Sequence, residues 1–166
     1  MLKEQLTTSL SQLPSHSRIW IYAAERALSP QETETVKTTA EHFARQWVSH
    51  NQQLRSASDL IYNRFLILAV DQSSAGASGC SIDSSVHFVQ RLGGELQVDF
   101  FNRMVFHYQD ADGRVHSVAR EAFQAAYQTQ EINDQTLVFD PLVSNLEQLQ
   151  TSFLKPLGDS WHTRMV

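Results

Sequence analysis

The segment Arg64–Leu92, RFLILAVDQSSAGASGCSIDSSVHFVQRL, decides the fold class. Its apolar run Phe65–Val70 ends in a carboxylate, Asp71, and passes through a loop of small residues into an amphipathic pattern. Six continuous apolar residues read as a strand buried on both faces. Ile82, Val86, Val89 and Leu92 then recur at helical spacing. Ser81 is the expected N-cap, and Gly93-Gly94 the expected stop. Strand, small-residue loop and helix together form the unit on which many α/β proteins carry a site.

Upstream, Arg18–Ala23 (RIWIYA) reads as a strand. Ser29-Pro30-Gln31-Glu32 supplies an N-cap serine, a proline at the first helical position and a capping-box glutamate. Val36, Ala40, Phe43, Ala44, Trp47 and Val48 follow on one face, which predicts a helix to about Ser49. Asn51–Asp59 reads as a polar connection. Downstream, Leu96, Val98 and Phe100 alternate with polar residues, a further strand pattern. Met104–Gln109 and Val115–Ala119 flank Asp110-Ala111-Asp112-Gly113, a hairpin signal. A short helix is expected over Arg120–Gln128 and a strand over Thr136–Phe139. Ser144-Asn145-Leu146-Glu147 reads as a second capping box. The pattern predicts one α+β domain over residues 1–166, with a mixed or antiparallel sheet, helices packed on it and a β-hairpin around 104–119. Sub-lobes would divide at 94/95.

The chain has 166 residues, 42% hydrophobic and 19% charged, enough for a sizeable core. Net charge is −5, with −1 over residues 1–95 and −4 over the remainder. No basic cluster offers phosphate neutralisation, so nucleic acid is not an expected partner. The longest aliphatic or aromatic runs have six residues, which excludes membrane insertion by an apolar helix. MLKEQLTTSLSQLPSHS lacks an apolar core of signal-peptide length, and a lone cysteine cannot form an internal disulfide. A cytoplasmic location is the expectation.

Trp20-Ile21-Tyr22, Trp47 with His50, Arg64-Phe65, Asp71, Ser78-Gly-Cys-Ser-Ile-Asp83, Phe101-Asn-Arg103 and Ser160-Trp-His162 carry a resemblance. Together they resemble a family of short bacterial proteins often labelled "ABC transporter ATPase", with SGCSID the most specific segment. The resemblance implies a transporter-associated role by label alone. Phe65–Val70 with Asp71 does look like a Walker B strand. A P-loop ATPase also needs a glycine-rich loop closed by Lys and Ser or Thr to neutralise phosphates. Lys3, Lys37 and Lys155 each follow an aliphatic residue, and none sits near such a loop. The residues argue against ATPase activity.

The binding candidates are Ser78, Gly79, Cys80 and Ser81 at the loop–helix junction, with Trp161 from the tail. An anion at this helix start would meet Asp83, expected in the first turn. Capping by small residues is the plainer reading of the loop. The catalytic candidates are Cys80, Asp71 and Asp83, with His50 or His162 as a base. His87 cannot serve Cys80 along one helix, because seven residues of rise separate them by about 10 Å. A free cysteine is more commonly a small buried hydrophobe. Asp71, Asp83 and His87 are the weak metal candidates, too few to be diagnostic. His107 and His116 share a hairpin face for a two- or four-residue loop and part for a three- or five-residue one. His42 and His50, eight apart, make no metal pair on a helix. Trp20, Trp47 and Trp161, with Tyr22 and His162, could gather at one site, although aromatics mostly fill cores.

No cofactor is called for. The leading expectation is a binding or interaction module for a small molecule or protein near 71–83. The alternative is a small hydrolase or transferase using Cys80 or an Asp71/Asp83 metal site.

Overall fold

A computed structural model of the chain describes residues 8–166. Part of the N-terminal stretch read for a secretion signal lies outside them. The elements in chain order are α1 (Thr8–Ser11), β1 (Arg18–Ala23), α2 (Pro30–Gln46), β2 (Val48–Ser49), β3 (Gln52–Gln53), β4 (Arg55–Ile61) and β5 (Phe65–Asp71). They continue as α3 (Gly79–Leu96), β6 (Val105–Gln109), β7 (Val115–Ala119), α4 (Arg120–Gln128), β8 (Leu137–Phe139), α5 (Leu146–Ser152) and β9 (Leu154–Pro156). Two 3-10 turns, Leu157–Asp159 and Trp161–Met165, follow.

The strands form antiparallel sheets: a three-stranded sheet ordered β1-β5-β4, a four-stranded sheet ordered β7-β6-β8-β9, and the short β2-β3 pair. This is an α+β fold, as the sequence pattern predicts. The alternation along β5 explains the layering. Leu66, Leu68 and Val70 face α2 and α3, whose Val36, Ala40, Phe88, Val89 and Leu92 complete a first apolar cluster. Phe65, Ile67 and Ala69 point the other way, into a second cluster with Phe139, Val143, Leu146, Leu149 and Phe153. Beyond it, Phe106, Tyr108 and Val138 pack with Phe123, Ala126, Ile132 and Leu157 in a third. The middle cluster draws on both sides of the 94/95 boundary, so the two expected sub-lobes share a core.

Several boundaries differ from expectation for local reasons. α2 begins at its predicted capping box, with Glu32 N–H donating to Ser29 Oγ and Ser29 N–H to Glu32. It ends at Gln46, because Trp47 turns extended and starts the small β2-β3 hairpin. The stretch read as a polar connection holds β3 and most of β4. The small Ser56 and Ser58 on β4 lie on the face toward α2, and Ser56 Oγ donates to the Ala44 carbonyl at 2.6 Å. Gly93-Gly94 does not end α3, which runs to Leu96 and closes on Gln97 in a left-handed conformation. Val98 and Phe100 are buried, but they form no strand. At α5 the N-cap is Asn145, accepting from Gln148 N–H at 2.8 Å, one residue later than the expected Ser144.

Gly93 and Gly94 have opposite requirements. A Cβ on Gly93 would lie 2.5 Å from the Val98 carbonyl oxygen, whereas one on Gly94 meets nothing within 4 Å. Gly93→Ala is expected to lower stability by about 1–3 kcal/mol through overpacking. Gly94→Ala should raise it by about 0.5–1 kcal/mol through helix propensity. Thermal denaturation of the two variants beside wild type reads the sign of each.

Candidate functional site

Asp71 closes β5, and its side chain is 4% exposed. Oδ1 accepts from Ser73 N–H at 3.0 Å and from Ser73 Oγ at 2.6 Å. Oδ2 accepts from Arg55 Nη1 at 3.0 Å, and His16 Nε2 stands 3.8 Å from Oδ1. The Ser73 hydrogen bonds, followed by the Arg55 and His16 charges, hold the carboxyl below its ordinary range against the effect of burial. Oδ1 thus ties the strand end to the loop, and Oδ2 ties it to Arg55 at the start of β4. Asp71 is a fastener of this corner, ill suited to metal ligation or proton transfer.

The N-cap of α3 is Ser78, three residues earlier than expected. Ser81 N–H donates to Ser78 Oγ at 3.2 Å, and Ser78 N–H donates back to Ser81 Oγ, so two serines make the capping box. Ser81 is buried, and its carbonyl accepts from Trp47 Nε1 at 2.8 Å. One turn on, Ser85 Oγ lies 2.9 Å from Tyr22 Oη. The helix start is therefore pinned to the α2–β2 junction and to β1 by two aromatic side chains. Gly79 and Cys80 are the first two helical residues, and both are exposed.

This earlier start moves Asp83 to the fifth helical position, and the first turn carries no acid. The expectation that a carboxylate occupies the helix start is corrected. Among the described residues, no hydrogen bond is made by the Gly79 or Cys80 N–H. Asp83 and His87 are exposed on the helix surface. Among the described residues, no group of three His, Cys, Asp or Glu side chains is placed to hold a metal ion.

The other candidates lie elsewhere. His50 is exposed in the β2-β3 turn, where it and Asn51 both have positive φ. His162 is 1% exposed, enclosed by Trp161, Phe106 and Phe123, with Nδ1 2.6 Å from Ser160 Oγ. Desolvation pushes its pKa down to about 4. Trp161 packs on the third cluster and donates from Nε1 to Asp140 Oδ1 at 2.9 Å. The tail thus packs back on the body, but its aromatics do not join the loop. Trp20, Trp47 and Tyr22 belong to the first cluster, with Trp20 edge-on to Trp47 at 5.5 Å. The five aromatic side chains fall into two separate groups rather than one site, most of them filling cores.

Compared with protein-family models, curated proteins and solved structures, the chain matches none. No helix among the described residues is long and apolar enough to cross a membrane.

One polar cluster escaped the sequence reading. Arg64 is 8% exposed, and its Nη1 donates to Ser117 Oγ at 2.6 Å; Ser117 Oγ is in turn 2.8 Å from His107 Nδ1. The three residues come from the β4-β5 turn, β7 and β6. The five-residue hairpin loop Asp110–Arg114 pairs His107 with Ser117 and Tyr108 with His116, which puts the two histidines on opposite faces. No spacing in the sequence signals this cluster, because Arg64 meets the His107–Ser117 hairpin pair only when the two sheets stack.

Proposed function

We propose that the protein is a binding or interaction module whose ligand, a small molecule or a protein surface, meets the strand–loop–helix corner at residues 71–83. One observation carries the reading: the corner is internally fastened, yet it presents a set of accessible groups. Asp71, Ser73, Ser78 and Ser81 are spent on holding the loop. Gly79, Cys80, Asp83 and Ser84 remain exposed around the start of an 18-residue helix. A rigid scaffold with exposed polar groups loses little conformational entropy on binding. The enzyme alternative gains no specific support, since Asp71 is consumed by its neighbours and His162 is enclosed in another cluster.

The exposed thiol gives a direct test. A benzophenone maleimide is attached to Cys80, and in a control to a cysteine placed at the exposed Glu147 in the Cys80→Ser background. Photolysis in an extract of the source cells is expected to give a discrete adduct from Cys80 alone, suppressed by excess unlabelled protein. No adduct, or the same adduct from both positions, would overturn the reading.

A further inference from the structure

We propose that Arg64, Ser117 and His107 form a second binding site, one that takes a small anionic group, a phosphate or a carboxylate, at the junction of the two sheets. Buried arginines are ordinarily met by carboxylates, because an unpaired charge away from water is costly. Arg64 is more than nine-tenths buried, and it makes no ion pair among the described residues. Its Nε donates to the Tyr62 carbonyl at 3.2 Å and its Nη1 to Ser117 Oγ. Nη2 makes no hydrogen bond among the described residues, so the guanidinium keeps a donor edge unused.

The relay through Ser117 bears on a second donor. Arg64 can only donate, so Ser117 Oγ accepts from it. We assign the hydroxyl proton to His107 Nδ1, the tautomer that leaves His107 neutral with its proton on Nε2. Burial agrees, pushing its pKa down to about 3, with the Arg64 and His162 charges adding to the shift. Nε2–H makes no hydrogen bond among the described residues. A cationic guanidinium and a neutral N–H donor, both on buried side chains and joined through one hydroxyl, match an oxyanion and offer nothing to a cation.

The setting holds the arginine in place. Tyr62 and Asn63 both take positive φ, as a tight hairpin turn requires, and Arg64 leaves that turn directly into β5. Its side chain reaches the edge strand β7 of the other sheet. The seven residues of β5 put it about 20 Å from the Asp71 corner, so the two sites are independent.

The probes are inorganic phosphate and acetate, titrated at constant ionic strength into 15N-histidine-labelled protein. The expected result is a saturable shift of the His107 Nε2 resonance with at least one of them, and the one that acts identifies the ligand chemistry. Arg64→Gln should weaken that binding by about tenfold or more, the loss of one charge-assisted contact. Arg55→Gln, at the other end of the sheet, should leave it within about twofold, less than a single such contact is worth. No saturable shift at His107 with either anion overturns the proposal, as does equal binding by a folded Arg64→Gln. If that variant does not fold, the wild-type titration decides alone.

Discussion

Phe65→Ala is expected to lower stability by about 3–5 kcal/mol, the usual cost of emptying a fully buried aromatic site. Phe65 has no exposed surface, and its ring lies 5.0 Å from His107, 5.0 Å from Phe139 and 5.1 Å from Phe153, centroid to centroid. It sits where the three-stranded sheet meets the four-stranded one. Its neighbours come from β6, β8 and the end of α5, so no single element can collapse into the space. Urea denaturation should show the midpoint falling with the slope unchanged, which marks a loss of stability rather than a change in the unfolded chain. Phe101→Ala is the internal control. Phe101 is 39% exposed, and its truncation should stay within about 1 kcal/mol. Equal losses from the two substitutions would contradict the assignment of Phe65 to the seam between the sheets.

The second large effect belongs to Asp140. This carboxylate is 6% exposed and accepts from Lys155 Nζ at 2.9 Å, Trp161 Nε1 at 2.9 Å and Leu142 N–H at 3.0 Å. Asp140→Asn keeps the shape but removes the charge facing Lys155, and should cost about 2–4 kcal/mol. Desolvation alone would raise the Asp140 pKa, but the bonds from Trp161, Lys155 and Leu142 outweigh it and hold the group below its ordinary value of 3.8. A carboxyl depressed in the folded state contributes stability above its unfolded pKa and loses that contribution as pH falls through the folded one. The gap between wild type and Asp140→Asn should therefore be full at pH 7 and narrow below about pH 4. A gap that widened on acidification would show that Asp140 is not held ionised by these partners.

The fold was legible where one segment carries its own signal. Ser29-Pro30-Gln31-Glu32 states a helix start without outside help, and Phe65–Val70 states a buried strand. β4 was not legible, because its Ser56 and Ser58 face α2 at close range and small polar residues there look like a linker. Gly93 misled for a related reason: it is small to admit the Val98 carbonyl, not to stop the helix. At the candidate site, Asp71 was visible as a strand-end carboxylate. Its engagement by Arg55 depends on the β4-β5 register, which pairs the two residues and which no local pattern declares. The Arg64–Ser117–His107 cluster is farther from view still, since two of its members lie more than forty residues from the first.

The middle cluster has a consequence during synthesis. Its first share, from Leu10 to Ala69, is complete once β5 has been made, but the covering Phe139, Leu146, Leu149 and Phe153 come roughly 70 residues later. At ordinary elongation rates that delay is roughly 3–14 s. Through that interval the nascent three-stranded sheet, already backed by α2, carries an uncovered face of Ile19, Phe65 and Ile67. Such a face is a nucleus for association between chains. The exposure of this face lasts as long as residues 71–139 take to be made, so slower translation of that stretch is expected to raise association between nascent chains.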